Sequence, residues 1–447
     1  MQTRVLIISY IMLVWFVVSF VTNLIGPLMP VIIGDFHLSL GLAGFLPFSF
    51  FLAYGLISIP AGALVEARGP RTTLLAAFGL NLLGCLGIAL YPSYAVVICG
   101  LFVIGLGMAM LQVVINPLTR ATGGEGHFSF FSVMGQLVFG LASFVSPLVF
   151  SILMQRPGAE HQALVWVQFY WAFLLVFLGL IALTAWLPLP RVELAENERV
   201  GGLEAYRKLI ADRYVRLFFL GIIAYVGTEQ SVANWMSQFL STYHHFEPTR
   251  EGAHAVGSFW GLMSIGCLLG LVLLKLFDAK VVLAAFTLLA FVSVSVALFG
   301  PAQASLVAFP MSGFFLSVMW SIVFSLGLNS VSRYHGAMSG ILCTGILGGA
   351  VVPLLVGLLG DRFGLRVALL CVFVTLGYIL SVCFWARPGR FIASAMPTQL
   401  GRQGCAGREL QRHTGVLQAR HRASPFRIFR APENSSSPRS KMVFNRG

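Results

Sequence analysis

Apolar residues run in blocks too long for strands or for the helices of a soluble core, and short polar strings separate them. Twelve such blocks can be drawn, at 5–33, 42–66, 71–91, 94–119, 127–154, 163–189, 214–240, 253–276, 280–300, 302–329, 336–360 and 365–386. About 20 apolar residues in a helix cross the hydrocarbon core of a bilayer. Only a backbone that satisfies its own hydrogen bonds is stable there. The pattern therefore predicts an all-α integral membrane protein with twelve transmembrane helices, numbered spans 1 to 12 in chain order. Strings such as "GDFHLS", "EARGPR" and "YPSY" punctuate the first six blocks. The longest interruption, between Pro190 and Arg213, carries nine charged residues and reads as a solvated linker with a short amphipathic helix near 203–210. The expected organisation is an N-terminal six-helix bundle over 1–189, a cytoplasmic linker over 190–213, a C-terminal six-helix bundle over 214–387 and a tail over 388–447.

Composition agrees with the pattern. Of 447 residues 57% are hydrophobic and 10% charged, against about 25% charged in a soluble domain. The net charge of +13 belongs mostly to the tail: residues 387–447 hold 12 Lys/Arg and 2 acids, a balance of +10, and the rest holds 17 against 14, a balance of +3. Without a folded basic surface or a readable motif, no nucleic-acid partner is expected. The tail, rich in Arg, Ser, Gly and Pro, is expected to be disordered and to sit near anionic lipid heads. The apolar run from Val5 to Ile33 is too long for a cleavable signal peptide. Seven cysteines show neither a CxxC pair nor metal spacing, so neither a disulfide framework nor a metal site is expected.

Charge distribution also sets an orientation. With the N-terminus inside, the segments on that side before the tail hold thirteen Lys/Arg, and the opposite loops hold Arg156, Arg250, Arg362 and Arg366. The bias puts both termini in the cytoplasm of a cell inner (plasma) membrane. The two halves echo each other weakly: "SFVSPLVFS" in span 5 and "GAVVPLLVG" in span 11 share a proline in apolar surroundings. Parallel six-helix halves suit an alternating-access transporter. No paired acids or His-rich cluster point to catalysis, so the chain is not expected to be an enzyme. No Gly-rich Lys-Ser/Thr loop is present to bind nucleotide. No cofactor is expected, and transport energy would come from a co-transported proton or sodium ion.

"GALVEARGPR", Gly62 to Arg71, joins spans 2 and 3. It resembles the loop signature of the major facilitator superfamily, with Gly62, Glu66, Arg68, Gly69 and Arg71 at the motif positions, Glu66 where aspartate is usual and Pro70 where a basic residue is common. A similar string, "GLLGDRFGLR", ends span 11 with Asp361 and Arg362. Within that superfamily the chain is similar to the fucose permease and glucose/galactose transporter group over about residues 5–387. The likeness rests on "LQVVINPLTRATGGEGHF" (111–128), "YVGTEQ" (225–230), "FWGLMSIGCLLG" (259–270) and "SGILCTGILGGAVVPLLVGLLGD" (339–361). The resemblance implies the twelve-helix fold and gating roles for the two loop strings. It departs at the acids. The fucose permease carries an aspartate in span 1 and a glutamate in span 4, where this chain has Gly26 and Gln112. Cys267 stands where the group commonly has arginine. Proton coupling through those two acids therefore does not carry over, nor does a sugar preference.

One acid remains deep in an apolar run. Glu229 lies near the middle of span 7, in "YVGTEQSVANW". An acid near a helix centre costs about 2.5–3.5 kcal/mol on insertion scales, so it is expected to face the bundle interior or an aqueous cavity. Gly227 on the same helix suggests a discontinuous helix beside a substrate site. Glu229 could accept hydrogen bonds from sugar hydroxyls, could take up the coupling proton as its access to water changes, or could hold span 7 to a neighbour. The amides Asn23, Gln112, Asn116, Gln136, Gln230 and Asn234 each offer a donor and an acceptor, which suits a polyol; Asn329 is a weaker candidate near a cytoplasmic end. Trp260, with Trp235 and Trp320, could stack on an apolar sugar face or simply pack. These residues point to a secondary transporter for a monosaccharide or related hydroxylated solute, expected to be a monomer with the lipid bilayer as its other partner. The alternative is a facilitator-type exporter of drugs or small hydrophobic metabolites.

Overall fold

The computed structural model describes residues 2–123, 128–157, 164–190, 203–331 and 334–386. The tail expected over 388–447 and the first half of the linker lie outside the described residues. Among the described residues there is no strand. Ten helical segments are long and apolar enough to cross a membrane. One of them, Leu40–Leu90, is two spans joined at Gly69. Arg213–His244, 32 residues long, adds another that its polar side chains keep out of that set. The predicted twelve are therefore present. Span 1 comprises Gln2–Thr22 and Ile25–Phe36, spans 2 and 3 share Leu40–Leu90, span 4 is Tyr94–Gly123, span 5 Phe128–Met154 and span 6 Val167–Trp186. The linker helix Leu203–Ala211 follows. Span 7 is Arg213–His244, span 8 Ala253–Leu276, span 9 Ala279–Phe299, and span 10 Ala302–Leu316 with Met319–Leu328. Span 11 comprises His335–Thr344, Gly345–Leu347 and Gly348–Phe363, and span 12 Leu365–Ala368 with Cys371–Trp385.

Twelve crossings return the chain to the face where it started. That face, holding Arg4 and Ala386, is the near face; the turns at 37–39, 91–93 and Gly364 lie at the far face. Four spans are interrupted, span 12 at 369–370 and three others for a local reason that the packing shows. Span 1 breaks at Asn23–Leu24 because Pro27 has no N–H for the Asn23 carbonyl. Span 10 breaks at Ser317–Val318, where Gly266 and Gly270 of span 8 press against these two residues. Span 11 tightens into a single 3₁₀ turn over Gly345–Leu347, where Gly345 and Gly348 let Ile222 and Ile223 of span 7 approach closely. Span 7 itself is continuous, which corrects the expectation drawn from Gly227. That glycine does not interrupt the helix; its missing side chain admits Val352 and the Gly348 carbonyl of span 11.

The halves meet along three crossings. Gly41 and Gly44 of span 2 pack on Leu354, Leu358 and Asp361 of span 11. Gly257 and Gly261 of span 8 pack on Phe144 of span 5, and Gly140 on Ser264. Gly26 of span 1 packs on Ala233 of span 7 and Val256 of span 8. Small residues at all three let backbones come together without a hydrophobic driving force, which lipid does not provide between helices. The halves are joined at the far face by hydrogen bonds that include Gly41 N to Asp361 Oδ2 at 2.9 Å and Gln155 Nε2 to the Thr249 carbonyl at 3.4 Å. Toward the near face Gln136 and Leu137 of span 5, and Cys267 and Leu268 of span 8, are exposed.

Candidate functional site

The Gly26 crossing fixes the geometry of the site. A Cβ on Gly26 would lie 2.8 Å from the Ala233 carbonyl oxygen and 3.5 Å from Val256. One helical turn from each partner, toward the near face, come Glu229 on span 7 and Trp260 on span 8, by the four-residue recurrence of a helix face. The acid and the indole thus stand at the same level, just beneath the point where spans 1, 7 and 8 close on one another.

Glu229 is half-buried. Gln230 Nε2 donates to its Oε1 at 3.0 Å, and the Tyr225 hydroxyl reaches the carboxylate from the turn below. Asn234 Nδ2 in turn donates to the Gln230 carbonyl at 2.8 Å and to Gln230 Oε1 at 3.3 Å. The donors run one way along span 7, from Asn234 through Gln230 to the acid. Cys267 of span 8 lies within electrostatic reach of Glu229, and no Lys, Arg or His among the described residues pairs with it. Dipoles, not a counter-charge, hold this carboxylate, as buried acids require when they are not ion-paired.

The other predicted residues divide by what they bond. Gln230 and Asn234 are 6% and 3% exposed, with Gln230 against Gly349, so in this conformation they orient the acid more than they line an open space. Asn23 is buried, and its amide donates to the Ser19 carbonyl at 2.9 Å and to Ser143 Oγ at 2.9 Å, with Ser19 and Ser143 joined at 2.7 Å. That group ties span 1 to span 5. Gln112 is half-buried and Gln136 exposed, and neither makes a side-chain hydrogen bond to a described residue. Asn116 lies on span 4, but its side chain is outside the described residues. Trp260 is buried edge-on to Phe259, with ring centroids 5.2 Å apart. Trp235 is fully buried with Nε1 on the Pro353 carbonyl at 3.0 Å, which makes it a packing anchor between spans 7 and 11. Trp320 stacks on Phe324 and leans on Tyr225, so it backs the acid's own neighbour. Asn329 caps the end of span 10, its Nδ2 3.4 Å from Ser325 Oγ.

The two loop strings share one geometry on opposite faces. Gly69 has φ 80° and Gly364 φ 81°, the two positive-φ glycines among the described residues. A side chain is strained there, so glycine makes each turn. Gly62, by contrast, lies inside the helix of span 2 and makes no turn. At the near face Glu66 and Arg68 are exposed, and the Arg71 guanidinium donates to the Ala185 carbonyl of span 6. At the far face Asp361 and Arg362 are both exposed, and Asp361 bonds across to span 2. Arg366 lays its guanidinium over Tyr243, 4.5 Å from the ring centroid.

Sequence reasoning overlooked Tyr225, Ser19 and Ser143, and read Gly26 only as a missing acid. A tyrosine one turn before an intramembrane acid was a usable signal for the first. The others depend on which helices adjoin.

The chain matches the family model described as Major Facilitator Superfamily over residues 11–352. It is 31% identical over 390 residues to a glucose/galactose transporter of Brucella abortus biovar 1 (strain 9-941), covering 82% of this chain and 90% of that one. It is 26% identical over 397 residues to the L-fucose-proton symporter of Escherichia coli (strain K12), covering 81% and 89%. Among solved structures it superposes on the transporter FucP in the outward conformation with a TM-score of 0.62 at 21% identity, covering 86% of this chain and 99% of that one. A bacterial homologue of the human lysosomal transporter Spinster, inward-facing and unoccupied, gives 0.71 at 16% identity, covering 86% and 97%.

Proposed function

This chain belongs to the Major Facilitator Superfamily, a family of transporters, and from that premise we propose that it moves a monosaccharide or a closely related polyol by alternating access, coupled to a proton or sodium gradient. The observation that carries the reading is the one-way line of amide donors ending on Glu229, beneath the closed crossing of spans 1, 7 and 8. A carboxylate with no cationic partner is a strong acceptor for vicinal hydroxyls. Its charge must also be dealt with each time the cavity changes its access to water, so uptake of a cation by this group couples the ion to the conformational cycle. The relatives' names supply the sugar class; the amides Gln112 and Gln136, both without side-chain partners among described residues, supply further polar groups from the N-terminal half.

The Lys/Arg bias assigns the near face to the cytoplasm. The conformation is then one whose halves are joined at the outer face. A second reading, export of apolar metabolites, draws on the N-terminal half, where Gly26 replaces an acid and the Asn23 amide is already bonded to serines. Uptake into proteoliposomes decides between them. A panel of hexoses and their epimers is offered with imposed proton or sodium gradients. Gradient-driven accumulation that discriminates between epimers is expected. Transport of apolar compounds that ignores hydroxyl stereochemistry would replace the sugar reading.

A further inference from the structure

A helix leaves its first four N–H groups without intrahelical partners. At the start of span 2 the chain supplies one partner itself: Ser39 Oγ accepts from Leu42 N at 3.2 Å. The Gly41 N–H is taken by Asp361 Oδ2 at 2.9 Å, from 320 residues further along and from the other half of the molecule. A carboxylate at a helix N-terminus is also favoured by the helix dipole. The seat is shaped for this contact. Gly357 and Gly360, one turn and one residue before Asp361, face Leu40, where side chains would collide with its backbone or side chain. Gly364 turns the chain directly after the acid's helix. On the facing side a Cβ on Gly41 would lie 2.5 Å from Asp361 Oδ2.

We infer that Asp361 is the lock of the far-face gate: it completes the N-terminal cap of span 2 only while the two halves are together, and surrenders that bond when they part. The bond's free energy therefore enters the equilibrium between the two conformations and not the stability of either half. It also explains why the acid-glycine string recurs at the far face of span 11. There the turn at Gly364 presents an acid to the opposite half, as a positioning residue that touches no substrate. The inference does not rest on which solute is carried.

Distances between spin labels on the two halves test it in the intact protein. Labels replace Tyr91 and Phe363, both exposed at the far face, in a cysteine-depleted chain in nanodiscs without substrate. The unmodified lock is expected to give a dominant short distance. Asp361→Ala should add a longer population, shifting the ratio of states by about three- to thirtyfold, the range a lost N-cap produces. Gly41→Ala should do the same while leaving every charge in place, and Asp361→Asn should shift it less, since its carbonyl oxygen still accepts. Arg362→Ala, on an exposed neighbour, should leave the distribution alone. If Asp361→Ala does not fold, Gly41→Ala and Asp361→Asn decide. A distribution unchanged in the folded lock variants, or shifted equally by Arg362→Ala, overturns the inference. Epimer-selective transport would stand or fall separately.

Discussion

Spans 1 and 7 hold corresponding places in the two halves and touch at Gly26 and Ala233, yet they are built on opposite terms. Span 1 is broken at Asn23–Leu24, holds two prolines beyond the break, and ties its polar side chains to span 5 through Ser19 and Ser143. Span 7 runs unbroken for 32 residues and holds the acid at its centre, its amides bonded along its own length. The contrast separates two jobs. The helix that bends carries no intramembrane charge, and the helix that carries the charge does not bend. A rigid mount keeps Glu229 in register with its donors, while the Pro27 break lets span 1 change its contact without pulling on that register.

If the chemistry resides on span 7, removing its acid should have the largest effect of any single change. Glu229→Gln keeps size and hydrogen-bonding capacity and removes the titratable charge. Gradient-driven accumulation should fall to background, because an ionisable group inside the membrane marks the ion pathway. Counterflow exchange of labelled sugar, which needs no gradient, should persist if the group serves coupling and disappear if it serves binding. The sharper prediction is in pH. If Glu229 takes up the proton, the wild type should lose accumulation as the external pH rises and the variant's residual exchange should be flat across the same range. Unimpaired accumulation by Glu229→Gln would make span 7 no more than a packing element.

The crossing itself comes next. Gly26→Ala places a methyl against the Ala233 carbonyl, and overpacking of this kind costs about 1–3 kcal/mol, roughly five- to 150-fold in a two-state population. Because the clash exists only when spans 1 and 7 are closed, the variant should favour the far-face-open conformation. Its melting temperature should change little while the transport rate drops. A variant that melts early but transports at the normal rate per folded molecule would show the crossing to be static.

Much of this architecture was readable in the chain alone, and the part that was not has a common cause. The twelve spans followed from apolar run length, because the bilayer tests each helix separately. Glu229 stood out for the same reason: one acid in hydrocarbon is visible without knowing any neighbour. Gly227 was misread because a glycine inside a helix has two meanings, a weak point or a close approach, and only the position of Val352 tells them apart. Asp361 was picked from the motif string, but its partner is a backbone N–H 320 residues away, which leaves no trace in composition or periodicity. Asn23 looked like a sugar ligand, and what its amide reaches, Ser143 on span 5, depends on helix adjacency.

Asn23 yields the smallest expected effect and the most pointed test of the division between the two spans. In Asn23→Ala, Ser143 Oγ loses the Asn23 donor but keeps Ser19 Oγ at 2.7 Å and its own bond to the Phe139 carbonyl at 2.9 Å. The loss is then one or two ordinary hydrogen bonds, about 1 kcal/mol each, with no acceptor left stranded. A drop of a few degrees in melting temperature and an unchanged KM for the sugar are expected, because the amide is spent on span 5 and not on solute. A rise in KM with an unchanged melting temperature would mean that the serine pair releases Asn23 when substrate arrives. Span 1 would then share the chemistry, and the assignment of bending to one helix and charge to the other would have to give way to a site built from both.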